Sequence, residues 1–388
     1  MSVYENRNAY ITSTGSFLPG EPVGNEEMES VLGLVNNKES IFREKILNSN
    51  GIKSRHYALD KSGNPTHLTD QLAAEAIKAS VIERGCEPAS LDMFAVGTTL
   101  PDILAPGIAS MVHGRVGGKN ADIVSTSGIC GAGAAAMKAA IMSVISGQHK
   151  RVVACGTERP SAIMRGSRFE KESEVEQDRN GVAKSYQYFN ADFLRWMLSD
   201  GAGAVIIDDE PKAEGLSLNV EWIETCSFAN KLDTCMYMGV NNPNEMTPQN
   251  TWVENIDKDK VLDPGILLLR QDTRLLNENI IKLAVDFAVE VKEKHGLPDV
   301  DWFLPHISSF YFHEKLSTAY QERGINIPLD KWFTNLERKG NTGSASIFIM
   351  LDELFQSGKI KDGEKVLLMI PESGRFSFTY VLLTAVVR

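Results

Sequence analysis

Cys130 carries the strongest chemical signal in the chain. It lies in Ser125-Thr126-Ser127-Gly128-Ile129-Cys130-Gly131-Ala132-Gly133-Ala134-Ala135-Ala136, a Gly-flanked turn followed by small and apolar residues through Ile145. That run predicts a buried helix with Cys130 at its start. A helix N-terminus offers unpaired N–H groups and the positive end of the macrodipole. Both favour thiolate over thiol, so the position suits a reactive cysteine. The competing reading is a small core residue, since free cysteines are often buried. Two further residues weigh against it: His306, after Pro305, and Asn341, after Gly340. A thiol, an imidazole and an amide form the set a cysteine nucleophile needs, with one group to exchange protons and donors to hold a developing oxyanion.

An internal repeat brings these residues together. In residues 68–100 an amphipathic helix (Leu68 to Glu83) leads to the strand Met93–Gly97. Residues 279–308 repeat this, with a helix over Asn279–Lys294 and the strand Trp302–Leu304 before Pro305-His306. Cys130 opens a helix ending near Gly147, followed by the strand Arg151–Ala154. Asn341 precedes a helix over Ser344–Gln356, followed by the strand Lys365–Met369. Each half closes on a β-rich stretch, Gly203–Ile207 and Phe376–Val387. Repeats of this size decide a fold before any local signal does. A pseudo-twofold axis between the halves makes Cys130 and Asn341 equivalent and lets them face one another. Junctions of this kind converge on the ligand crevice of α/β sheets. The expected halves are residues 1–210, with the nucleophile, and 211–388, with His306 and Asn341.

The chain has 388 residues, enough for one large core or two fused ones. A net charge of -11 argues against a general nucleic-acid role. No apolar run reaches the ~18 residues of a membrane span, and Met1–Ala9 lacks the regions of a signal peptide. Five cysteines without a Cys-x-x-Cys pair make neither a disulfide framework nor a structural zinc site. The expectation is a cytoplasmic α/β protein with no metal and no cofactor. Two stretches break the βα alternation. Residues 159–196 are rich in charge (Arg165, Arg168, Glu170, Lys171, Glu172, Glu174, Glu176, Asp178, Arg179), then aromatic (Tyr186, Tyr188, Phe189, Phe193, Trp196). They read as an insertion over the site or a dimer contact, against a solvated loop. Segment Ser227–Asp263 reads as a second lid.

Taken in order, six segments resemble the β-ketoacyl-acyl-carrier-protein synthase III family of the thiolase superfamily. They are Thr14-Gly15-Ser16-Phe17-Leu18-Pro19, Gly51-Ile52-Lys53-Ser54-Arg55, the Cys130 motif, Ser199-Asp200-Gly201-Ala202-Gly203-Ala204, Pro305-His306 and Gly340-Asn341-Thr342. The resemblance implies a thiolase-like five-layered αβαβα fold from two duplicated halves and a homodimer. It also implies Claisen condensation of acyl thioesters, delivered by an acyl carrier protein. Cys130 would take the acyl group, and His306 and Asn341 would bind the second thioester's oxygen as its enolate forms. His56, His67, His113, His149, His295 and His313 lack such company.

Departures from the family pattern are equally specific. Ile307-Ser308-Ser309 follows His306 where the family has a carrier-docking basic residue, leaving Lys315 as the nearest substitute. The aromatic and arginine of a coenzyme A adenine site are not visible among Lys45–Asn50, which argues against coenzyme A as primer carrier. Glu372-Ser373-Gly374-Arg375-Phe376 replaces a Gly-rich motif and puts Gly374 in the oxyanion-hole region with Arg375 beside it. Glu158, in Gly156-Thr157-Glu158-Arg159-Pro160, is either a capping residue or an added acid or base. It stands at the repeat position of Glu372, and an ion pair between Glu158 and Arg375 is expected. These features resemble the branch that makes cyclohexanedione precursors of dialkylresorcinols and stilbenes by joining two acyl thioesters and closing a ring. Ordinary fatty-acid initiation is the alternative, and a non-catalytic subunit of a heterodimer is the alternative of another class.

Overall fold

A computed structural model describes residues 7–170, 182–256 and 266–388 of the chain. Nine strands form one hydrogen-bonded sheet: β1 (Tyr10–Phe17), β2 (Met93–Thr98), β3 (Asp122–Ser127), β4 (Arg151–Glu158), β5 (Gly201–Asp208), β6 (Leu216–Ser227), β7 (Trp302–Pro305), β8 (Lys365–Glu372) and β9 (Ser377–Val387). Their order is β7-β8-β9-β6-β1-β5-β4-β2-β3. From the middle outwards, β1-β5-β4-β2 on one side matches β6-β9-β8-β7 on the other. Pairing sense repeats as well: β2/β4 and β7/β8 are parallel, while β4/β5 and β8/β9 are antiparallel. The counterpart of β3 in the second half is a single parallel bridge, Phe303 to Trp332. Only Tyr10–Asn219 and Ile11–Leu218 join β1 to β6.

Side-chain alternation turns this sheet into layers, because successive residues of a strand face opposite ways. Val152 and Ala154 of β4 pack in one core, while Val153 and Cys155 pack in another. Val366 and Leu368 of β8 join the first core, and Leu367 and Met369 a third. The shared core holds two central helices, α3 (Gly131–Ile145) and α7 (Ser346–Gln356), through Ala134, Met137, Ile141, Phe348, Leu351 and Leu354. Outside the first half lie α1 (Thr69–Arg84) and α2 (Ile108–Val116). Outside the second lie α5 (Thr273–His295) and α6 (His313–Glu322). Helix, sheet, helix pair, sheet, helix is the five-layered arrangement expected from the repeat.

Small residues set the spacing of the central layer. α3 is alanine-rich, which favours helix and keeps its surface thin. At Gly133 an added Cβ would lie 2.3 Å from the Ser344 carbonyl oxygen and 2.8 Å from the Phe348 ring. The close approach of the halves therefore requires glycine there.

The two irregular stretches are described in part. Lys171, Glu172, Glu174, Glu176, Asp178 and Arg179 lie outside the described residues, as do the side chains of Tyr186 and Tyr188. A helix, α4 (Val182–Arg195), runs from there to Trp196. Three aromatic residues of the stretch, Phe189, Phe193 and Trp196, turn toward the protein's own interior. Trp196 is buried beside Met28, Leu32, Ile46 and Tyr57 of the same chain, with Phe189 and Phe193 packed against them. Trp196 Nε1 also donates to Asp192 Oδ2 at 3.0 Å. Trp196 is core because the N-terminal segment covers it. Within Ser227–Asp263, Met236–Tyr237 pairs with Arg270–Gln271, and residues 257–263 lie outside the described set.

Candidate active site

Cys130 is the residue immediately before α3, with helical backbone angles (φ -62°, ψ -25°). No side chain of its own segment caps the helix. Glu372, at the end of β8 in the other half, does so: its Oε2 accepts from Gly131 N at 2.9 Å and its Oε1 from Ile129 N at 3.2 Å. The mirror arrangement holds across the pseudo-twofold axis. Glu158, at the end of β4, reaches the start of α7, where Ser344 Oγ donates at 2.6 Å and Ser344 N at 3.4 Å. Each half thus supplies the carboxylate that caps the other half's central helix, consistent with the preference for anions at helix N-termini.

Two cavities meet at Cys130. The first encloses about 600 Å³ and is lined by Cys130, Glu158, Arg159 and Asn341, with apolar walls from Ile163, Leu194, Met197 and Leu269. The second encloses about 480 Å³ and is lined by Cys130 and His306, with Leu276, Ile280 and Ala284 of α5 and Phe312 and Leu316 opposite. Ser308 and Ser373 are shared by both. The repeat geometry thus brings together the three expected residues, one set from each half.

Asn341 is held on both sides. Its backbone N donates to Met197 O at 2.9 Å, and its carbonyl accepts from Ser199 N at 2.8 Å. Its Oδ1 accepts from Gly343 N at 2.9 Å. With the amide oxygen engaged, the NH₂ is the end left for the cavity. His306 continues the β7–β8 ladder by donating its backbone N–H to Met369 O at 2.8 Å. Its imidazole is buried, and Nε2 has no partner among the described residues. Burial brings its pKa down to about 4, so the ring is neutral at pH 7.

Electrostatics at the thiol oppose the sequence expectation. A helix N-terminus is worth about 0.3–1 kcal/mol to an anion. Desolvation of a buried group shifts a pKa by up to ~3–5 units, and burial pushes the Cys130 thiol up. Glu372 and Glu158 add to the rise. The first N–H of the helix, that of Gly131, already serves Glu372. Burial and the two carboxylates thus favour the thiol form of Cys130.

Glu158 is fully buried, and burial pushes its pKa up to about 7 against the donors that lower it. Thr99 N (2.9 Å), Thr99 Oγ1 (2.7 Å), Ser344 Oγ and Ser344 N all donate to Oε1. That leaves Oε2 as the oxygen toward the cavity Glu158 lines.

Arg375 does not reach this site. Glu372 pairs with Ser377, so residues 373–376 form a four-residue hairpin loop. Phe376 takes a left-handed conformation (φ 57°) and is fully buried. Arg375 is thereby turned outward, exposed, with Nε donating to Leu232 O at 3.0 Å. The expected Glu158–Arg375 pair is absent. Gly374 lies inside the loop, with its carbonyl accepting from Cys235 N and Met236 N. The cation that lines the cavity is Arg159, next to Glu158, and it pairs with Asp102. Sequence reading passed over it because nothing local marks which side of the strand end it faces. Lys315 sits on α6, exposed, with its ammonium 3.3 Å from the Tyr311 ring centroid.

Two family models match the chain: the thiolase N-terminal domain over residues 61–190, and the 3-oxoacyl-[acyl-carrier-protein (ACP)] synthase III C-terminal domain over residues 292–374. β-Ketoacyl-[acyl-carrier-protein] synthase III of Chlorobium phaeovibrioides is 25% identical over 364 residues, covering 93% of this chain and 94% of its own. Among solved structures, the tetronic acid condensing enzyme AbyA1 superposes with a TM-score of 0.73 at 18% identity, over 97% of this chain and 99% of its own. A variant of Xanthomonas campestris OleA with bound lauric acid and lauroyl-CoA gives 0.72 at 18% identity, over 98% and 100%. Those two likenesses establish the thiolase fold. In these matched segments and along the full-length relative, the chain is similar to the β-ketoacyl-acyl-carrier-protein synthase III family of the thiolase superfamily. Among the described residues no helix is long and apolar enough to cross a membrane, and no cluster of His, Cys, Asp or Glu could hold a metal ion.

Proposed function

We propose that the protein is a condensing acyltransferase that joins two acyl thioesters through an acyl-Cys130 intermediate. The observation that carries this reading is the meeting of two cavities at Cys130, one reached by Asn341 and the other by His306. An acyl group on the thiol would extend along the apolar wall of α5 in the second cavity. The second thioester would enter the first. At the junction of the two cavities beside Cys130, its oxygen would accept hydrogen bonds from the Asn341 amide and the His306 imidazole as the enolate forms. A buried donor without a partner costs about 1–3 kcal/mol, and a substrate oxygen would relieve that cost at His306 Nε2. Donors fixed in a dry site are worth about 3–4 kcal/mol each to a developing oxyanion.

The same reading extends to ring closure. Cyclisation needs a second proton transfer, and Glu158 offers a carboxylate of near-neutral pKa on the wall of the first cavity. A linear product, as in ordinary fatty-acid initiation, is the second reading. It is the one favoured if Glu158 serves only to hold the two halves together. A non-catalytic role is disfavoured by the intact Cys130, His306 and Asn341.

Acyl carrier proteins are the proposed donors. A second copy of the chain is the proposed partner, and strand β3 supports it. This strand ends the sheet, with its outer edge unpaired and Ile123 42% exposed. An unprotected edge of this kind favours pairing with another strand, and β3 runs directly into the Cys130 turn. The function is tested by incubating the protein with two acyl-carrier thioesters and following both the Cys130 adduct and the released product by mass spectrometry. No adduct with any donor refutes it.

A further inference from the structure

Glu372 brackets the nucleophile without lining either cavity. Its two oxygens accept from the residues on both sides of Cys130, Ile129 N and Gly131 N. Three glycines make room for the carboxylate. A Cβ on Gly131 would lie 2.2 Å from Oε2, one on Gly374 2.6 Å from Oε1, and one on Gly128 3.1 Å from Oε2. The hairpin that turns Arg375 outward leaves no cation beside this carboxylate to offset it. The ionisable groups around the thiol are Glu372 from the end of β8, Glu158 from the end of β4, and His306 from the end of β7. The first two are acidic, and burial keeps His306 neutral. Arg159 faces the first cavity but is paired with Asp102. No unpaired cation stands opposite the sulfur among the described residues.

We propose that Glu372 is a positioning residue that keeps Cys130 a neutral thiol until a thioester arrives. This rests on Cys130 being the acylated nucleophile. Acyl transfer then balances without a charged intermediate in the resting site. The Sγ–acyl carbon bond forms, the carbon–sulfur bond to the carrier breaks, and the thiol proton ends on the departing carrier sulfur. A resting thiol also protects the site, since the thiolate is the species that alkylating agents and oxidants attack.

The test is the pH dependence of Cys130 alkylation by iodoacetamide, read at the peptide level by mass spectrometry between pH 6 and 10. Glu372→Gln retains a hydrogen-bond acceptor but removes the charge. Its alkylation midpoint should fall by about one pH unit or more, which is about tenfold faster labelling at pH 8. Glu372→Asp keeps the charge and should hold the wild-type midpoint, so any loss of stability common to both variants is separated from the electrostatic effect. Cys86 serves as an internal standard and should label alike in all three proteins. An unchanged midpoint in Glu372→Gln, with only a lowered unfolding temperature, overturns the proposal and leaves Glu372 a helix cap. If the Cys130-alkylated enzyme still turns over, the nucleophile reading fails instead, whatever the midpoint does.

Discussion

Glu158→Gln separates structure from chemistry at the wall of the first cavity. The glutamine oxygen can take the place of Oε1 and accept from Thr99 N, Thr99 Oγ1, Ser344 N and Ser344 Oγ, so the link between the halves survives. What changes is the titration. Glu158 is raised from 4.5 to about 7 by burial. The folded protein therefore holds a proton that the unfolded chain has released between those values. Stability falls as pH rises through that window, and the loss is complete above pH 7. A rise of this size corresponds to on the order of 3 kcal/mol. The variant has no such group, so its stability relative to wild type should improve by about that amount from pH 4.5 to pH 8. Urea denaturation at both pH values measures the difference, and titrations common to both proteins cancel. Parallel pH dependence in the two proteins would refute the assignment of a strained buried carboxylate. The chemical arm uses the same variant: acyl-Cys130 should form normally, with products shifted from cyclic toward open-chain. An unchanged product distribution would return Glu158 to its capping role.

Cys130→Ser should abolish acyl-enzyme formation while preserving the cooperative unfolding transition, and a retained acyl adduct on another residue would displace the assignment. His306→Ala and Asn341→Ala should each slow condensation by about 10²–10³-fold while the acyl adduct accumulates, and full turnover by either removes it from the mechanism. Gly133→Ala places a methyl 2.3 Å from the Ser344 carbonyl oxygen and should cost about 1–3 kcal/mol in chemical denaturation. A neutral result there would mean that the central helices can part freely. Light scattering should give twice the chain mass, and Ile123→Asp at the free sheet edge should shift it toward monomer; an active monomeric wild type contradicts the dimer.

Much of the architecture was legible because the repeat imposes it twice. Strand and helix signals in 68–100 recur in 279–308, and their agreement fixes sheet order where one copy alone would leave it open. Cys130, His306 and Asn341 were legible for the same reason: each stands where an element ends, and the pseudo-twofold axis brings such ends together. The burial of Trp196 was not legible because composition cannot tell a surface patch from a core. What covers Trp196 is Met28, Leu32 and Tyr57, well over a hundred residues earlier in the chain. The cavity wall on α5 was invisible for a similar reason, since Leu276, Ile280 and Ala284 carry the spacing of any buried helix face.

Charge placement at the nucleophile was the least legible feature, and its reversal decides how the site works. A cysteine at a helix start predicts a stabilised thiolate only while the helix N–H groups remain available to it. Glu372 lies more than two hundred residues away in sequence, yet it takes the first of those donors, Gly131 N, together with Ile129 N before the helix, and adds a negative charge. Arg375 stands three residues further on and would have neutralised that charge had it faced inward. In the hairpin loop Phe376 is buried with a left-handed backbone, and the Arg375 guanidinium lies outward against Leu232 O. The local rule favours the thiolate, whereas burial and the carboxylate that crosses from the other half of the molecule favour the thiol. The same cross-capping places Glu158 at the wall of the first cavity. One duplicated contact thus yields a carboxylate that lines the first cavity in one copy and a carboxylate that brackets Cys130 in the other.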